Sequence, residues 1–271
     1  MAFKRVLYDE KKAYPDEYLT FTSSIGVEQR LYIRTAAANV NDISIRLKEA
    51  DKAFAHGSYA YGDGKIESRK LKLSFPIKGA DQRDHVRRYN ELLQLFSQRD
   101  YSLRLAREDR EYRVAGLVDV KQKWLRGFKW IWSDIDITLM LTDPFIYALS
   151  DTTIKKVFTS AQESAAIHVY NDSSIDVPLI LEFTPVEGET MDNVKLMHVE
   201  SGEQLLLSDS LLSYPRKAKI DGTRGTVRRD NDNSINTFSG VFLHAWAGSN
   251  TFKYTGSPGE LKISFRKRWF V

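Results

Sequence analysis

Runs of strict apolar–polar alternation recur along most of the chain, and that two-residue period confines the fold largely to β structure. Residues 70–77 place Leu71, Leu73 and Phe75 on one side and Lys70 and Lys72 on the other; residues 135–141 align Ile135, Ile137, Leu139 and Leu141. Successive strand side chains point to opposite faces of a sheet, so each run offers one face to a core and one to water. The same pattern predicts strands over 18–21, 30–34, 43–47, 101–105, 112–118 and 128–141. Asp143-Pro144 ends the last, since proline cannot donate to a ladder.

One segment breaks the period. Val86, Tyr89, Leu92, Leu93 and Phe96 recur at spacings of three and four behind Asp81, which can cap, and Asp84 in the first turn. This predicts a helix over 82–98, with His85 at the edge of its apolar stripe and Arg83, Arg87, Asn90, Glu91 and Gln94 opposite. Residues 56–64 are dense in glycine and tyrosine and suit an exposed hairpin tip or ordered loop.

The texture changes near residues 148–160. Beyond it, short strands over 165–170, 177–183, 194–199, 203–207, 242–246 and 261–266 are separated by Gly, Asn, Asp and Ser turns, the pattern of an antiparallel sandwich. Charge shifts at the same place. Residues 1–150 hold 26 Lys/Arg against 21 Asp/Glu, whereas 151–271 hold 14 against 15. We therefore expect two domains, 1–150 and 151–271, in a mainly β fold with one inserted helix. At 271 residues the length agrees.

The absence of cysteine excludes disulfide scaffolds, thiolate metal sites and thiol catalysis. The five histidines show no HExxH or other short ligand spacing, although His168, His198 and His244 would have to be placed before convergence is dismissed. Asp134 and Asp136 share a strand face, as paired carboxylates or as the solvated side of the Ile135/Ile137 strand. Residues 57–64 and 222–225 lack the GKS/T ending of a phosphate loop, and no GxSxG occurs. The sequence calls for no cofactor, no metal and no catalysis. No apolar run approaches the ~20 residues needed to span a bilayer. A basic start, 1–5, is followed by an acidic, tyrosine-rich stretch where a signal peptide needs an apolar one, so synthesis in the cytosol without export by that route is expected.

Two residue groups stand out for binding. Trp124, Trp130 and Trp132 near Arg126 and Lys129 fit a subunit interface, a core or a nucleic-acid stacking surface, and strand alternation puts Trp130 and Trp132 on one face. Arg228, Arg229 and Asn231 sit among Asp and Asn in a loop; with Trp246, Arg228 and Asn231 form a candidate peripheral docking or weak glycan site.

Four features taken in order resemble the distal tail protein (Dit) family of long-tailed bacteriophages. They are the glycine-rich 56–64 segment leading to residues 66–69, the single helix followed directly by 101–105, the long strand ending in Asp143-Pro144-Phe145, and a last strand rich in arginine and aromatics, 263–269. The resemblance implies a homohexameric ring of N-terminal domains and a galectin-like or carbohydrate-module-like C-terminal sandwich. It also implies contacts with the tail-tube protein and the tail-associated hub, peripheral receptor-binding or side-fibre proteins, and DNA only in transit through the channel. Such a protein sits at the distal end of the virion tail, is assembled in the host cytoplasm, and turns nothing over. Tyr59, Tyr61, Trp124, Arg126, Trp130 and Trp132 are the expected interface residues. The alternatives are a carbohydrate-binding sandwich for host-surface attachment, which needs exposed aromatics beside Asn, Asp and Arg; an enzyme, which needs convergent carboxylates or a histidine pair; and a nucleic-acid binder, which needs a continuous positive groove.

Overall fold

The computed structural model describes residues 18–33, 43–105, 109–127, 130–160 and 162–270. The chain forms two compact units, Met1–Leu149 with Phe270–Val271, and Ser150–Trp269. Both are antiparallel β structures, as the alternation predicts, and no described helix is long and apolar enough to cross a membrane.

In the first unit, β1 (Tyr18–Thr22), β2 (Glu28–Tyr32), β3 (Lys48–Asp51), β4 (Ser58–Tyr61) and β5 (Arg69–Lys78) precede α1 (Gln82–Phe96). Then follow β6 (Tyr101–Leu105), β7 (Arg110–Val114), β8 (Gly116–Trp124), β9 (Trp132–Leu141) and β10 (Ile146–Ala148). One sheet runs β2-β1-β6-β7-β10 and a second β5-β9-β8, while β3 and β4 pair only with each other. β5 and β9 are in register over their whole length, from Arg69↔Leu141 to Lys78↔Trp132. Their inward residues Leu71, Leu73, Phe75, Ile135, Ile137 and Leu139 form one core with Phe21, Phe96 and Tyr101. Phe96 meets Phe21 and Phe75 at 5.9 and 5.2 Å, which anchors the helix on both sheets. Each such buried ring is worth about 1.5–3 kcal/mol.

Four expectations are corrected here. The 112–118 run is two strands: the chain leaves the first sheet at Val114 and enters the second at Gly116, with Ala115 N–H donating to Met140 O at 2.9 Å. The 128–141 strand begins only at Trp132, because Trp130 takes a left-handed φ of 62° in the turn before it; residues 128 and 129 lie outside the described residues. Trp130 and Trp132 therefore share no strand face. The alternating 43–47 run makes only a bridge, Ile45↔Ile66, and its apolar residues are exposed. Along α1, which stops at Phe96, the buried positions are His85, Leu92, Leu95 and Phe96, while Val86 faces solvent.

The second unit contains β11 (Thr152–Phe158), β12 (Gln162–Asn171), β13 (Val177–Pro178), β14 (Ile180–Pro185), β15 (Val194–His198), β16 (Gln204–Leu207) and β17 (Ala218–Asp221). It continues with β18 (Thr226–Arg229), β19 (Asp232–Asn233), β20 (Phe238–Gly240), β21 (His244–Ala245), β22 (Gly248–Gly256) and β23 (Gly259–Phe265). Two sheets, β11-β23-β14-β17-β18-β19 and β12-β22-β15-β16-β20, enclose a single core that includes Leu181, Phe183, Leu196, Leu205, Phe252 and Ile263, which makes this unit a sandwich. The expected 177–183 strand is split: β13 pairs with β21, whereas β14 joins β17 and β23.

Candidate functional site

Among the described residues the β3–β4 ribbon pairs with no third strand, and every residue of both strands is exposed. Its register sets Ala50 opposite Tyr59 and Lys48 opposite Tyr61, so the two expected tyrosines share a side. Lys52 Nζ sits 5.2 Å from the Tyr59 ring centroid, and Ser58 Oγ donates to Glu49 Oε2 at 2.9 Å. At the ribbon's base Arg46 pairs with Asp63 at 3.0 Å. Gly62 is required there, since at φ 144° its added Cβ would lie 2.2 Å from Arg46 O. Phe54 stands fully exposed in the connecting turn, and Ile45 and Leu47 are exposed behind the ribbon. A two-stranded hairpin is marginal in water without a hydrophobic face to pack. Exposed apolar side chains gathered in one place are a feature of interaction surfaces.

A second aromatic surface forms where β8, the β8–β9 turn and the start of α1 meet. Trp124 and Trp130 meet edge to face at 5.2 Å and are 42% and 55% exposed. Beneath Trp124 lies the His85 ring, at 4.8 Å, with Nε2 2.8 Å from Ser133 Oγ. Gln122 Nε2 donates to the same hydroxyl at 3.1 Å. Trp132, at the start of β9, is half-buried, with Lys78 Nζ 5.3 Å from its ring centroid. Arg126 is exposed in the turn. Lys78, His85, Gln122 and Ser133 were not expected here; His85 was legible only as a polar residue on the stripe's edge.

The first turn of α1 is fixed electrostatically. Asp81 Oδ1 accepts from Asp84 N–H at 2.8 Å, while Asp84 accepts from Ala80 N–H at 3.0 Å and from Arg87 and Arg88 at 2.6 and 2.8 Å. The Ala80 N–H, with help from the two arginines, holds the Asp84 carboxyl down to about 2 from its ordinary 3.8. Folded Asp84 thus binds its proton more weakly than the unfolded chain does. Its contribution is complete above about pH 4 and disappears as the pH falls through 2. Asp84→Asn is expected to lower stability by about 1–2 kcal/mol at pH 7. Thermal melts of the two proteins should converge near pH 2.

The remaining sequence candidates do not assemble. Arg228 and Asn231 belong to the β18–β19 hairpin at the edge of one sheet, with Arg228 opposite Asn233. Trp246 instead lies edge to face with His198 of the other sheet at 5.0 Å. His198 is buried and faces inward beside Phe252, whereas His168 pairs with Thr251 on the outward side of β22 and His244 lies opposite Pro178. Among the described residues no cluster of His, Asp and Glu could hold a metal ion. Asp136 is bound by Lys123 at 2.7 Å and Ser74 at 2.8 Å, and the Lys123 hydrogen bond holds its carboxyl below the usual range. That carboxylate is therefore engaged by a cross-strand lysine.

A comparison with protein-family models finds no match, and a comparison with curated protein sequences finds none either. Solved structures do match. The Dit protein (gp 19.1) of phage SPP1, described as a paradigm of hub adsorption apparatus in phages infecting Gram-positive bacteria, superposes with a TM-score of 0.69 at 13% identity. The match covers 92% of this chain and 98% of that one. Two chains of the phage P2 baseplate in its activated conformation, with Ca and with Sr, match at 10% and 9% identity over 91% of this chain and 97% of theirs, with TM-scores of 0.41 and 0.42. Over nearly its whole length, the chain has the fold of a phage distal tail protein of the Dit type.

Proposed function

We propose that this chain is a structural, non-catalytic protein of a phage tail tip or baseplate. Its first unit builds a homohexameric ring that joins the tail tube to the hub, and DNA crosses the central channel only in transit. The ring anchors receptor-binding or side-fibre proteins around its periphery. The observation that carries this reading is the end-to-end correspondence with SPP1 Dit, which spans both units and the single helix. Independent support comes from the β3–β4 ribbon and the Trp124–Trp130 pair, two exposed apolar surfaces on one unit. A closed ring of identical subunits needs two different surfaces per chain, because each contact joins one patch to the other. Light scattering over a concentration series is expected to show a species six times the 31.2 kDa subunit. A dimer as the largest species would refute the ring.

A further inference from the structure

The His85 ring is 1% exposed, yet its Nδ1 has no hydrogen-bond partner. Nε2 is satisfied by Ser133 Oγ, and Trp124 covers the ring from the solvent side. The backbone of His85 is tightly packed as well: a Cβ at Gly79 would lie 2.5 Å from His85 N, so only glycine fits at that position. A neutral imidazole tolerates this setting with one hydrogen bond. An imidazolium carries a charge and two N–H donors, and only Ser133 stands ready to accept.

Among the described residues, the charged groups on the surrounding elements offer no counter-ion in contact. On α1, Asp84 is engaged by Ala80, Arg87 and Arg88, and the Asp81 carboxylate caps Asp84. On β8 and β9, Lys121, Lys123, Asp134 and Asp136 alternate with Gln122, Trp124, Ser133 and Ile135, and so occupy the face away from His85. At the end of β5, Lys78 lies over Trp132.

We propose that His85 is a proton-operated latch: taking up a proton drives its ring from beneath Trp124 and rearranges the exposed Trp124–Trp130 surface. Burial holds the imidazole below its ordinary 6.5, with Asp84 pulling weakly the other way. The packed arrangement is therefore at full strength above pH 6.5 and loses strength as the pH falls below it. The latch is internal to one chain. Its consequence, an aromatic assembly surface that changes with pH, rests on the ring reading.

Tryptophan fluorescence of the full chain, titrated from pH 8 to 5 at two protein concentrations, tests it. The expected result is a single-proton transition with its midpoint below 6.5, at the same pH for both concentrations, absent from His85→Gln and clearly diminished in Trp124→Phe, where Trp130 alone reports the rearrangement. Trp124→Phe keeps an aromatic ring over the histidine, so that comparison decides even where His85→Gln fails to fold. A parent protein with no transition, or one whose transition keeps its full amplitude in Trp124→Phe, overturns the latch. A midpoint that moves with concentration would assign the signal to subunit dissociation and overturn it equally.

Discussion

A chain carrying Phe54→Asp and Tyr59→Ser is expected to melt at the parent temperature and to be unable to form the ring. Both side chains project from a ribbon whose strands bury nothing within the chain, so their loss removes no core contact. Surface changes of this kind stay within about 0.5 kcal/mol of neutral. At an interface the same residues act as aromatic anchors, and truncating one costs about 2 kcal/mol or more. The Phe54→Asp change adds the burden of placing a charge against apolar surface. Two anchors lost from every contact correspond to roughly a thousandfold weaker association per interface. Circular dichroism melts and light scattering on the same samples check both halves. A parallel loss of melting temperature would show that the ribbon supports the fold of its own unit instead.

The second large effect lies in the sandwich. Asn250 is 1% exposed, and its amide joins segments distant in sequence. Nδ2 donates to Trp246 O at 2.9 Å, Gly248 O at 3.0 Å and Val169 O at 3.4 Å, while Oδ1 accepts from Trp246 N–H at 2.7 Å and lies 3.0 Å from His198 Nε2. Asn250→Ala would strand several buried polar groups at once, each at about 1–3 kcal/mol. The expected loss is about 3–5 kcal/mol, a fall of roughly 10 °C or more in melting temperature for a unit of this size. Asn250→Asp should fare no better, because a carboxylate cannot donate to those carbonyls. A change under about 1 kcal/mol in urea unfolding would show that the network is dispensable.

These two sites differ in how much the sequence reveals. β5 and β9 are legible because one face is buried along their whole length, so the period of two is kept from Leu71 to Phe75 and from Ile135 to Leu141. The capped start of α1 is legible from Asp81 and Asp84 alone. β22 escapes because its inward positions include the polar Asn250 beside Phe252 and Tyr254, a choice made by hydrogen bonding to the neighbouring strands of its own sheet and to the turn before it, and invisible to hydropathy. The 43–47 run misleads for the opposite reason. Its alternation is present, but Ile43, Ile45 and Leu47 are exposed and the run makes only one bridge among the described residues. Among the interface candidates, Tyr59, Tyr61, Trp124 and Trp130 are exposed. Trp130 and Trp132 share no strand face because Trp130 takes a left-handed φ in the turn before β9, and nothing in the run of apolar letters signals that φ.

Electron microscopy of the purified protein puts the proposed ring to its sharpest test. The expected class averages show a six-fold ring with an open centre. Rings of another symmetry, filaments, or particles no larger than one subunit at every concentration would contradict it.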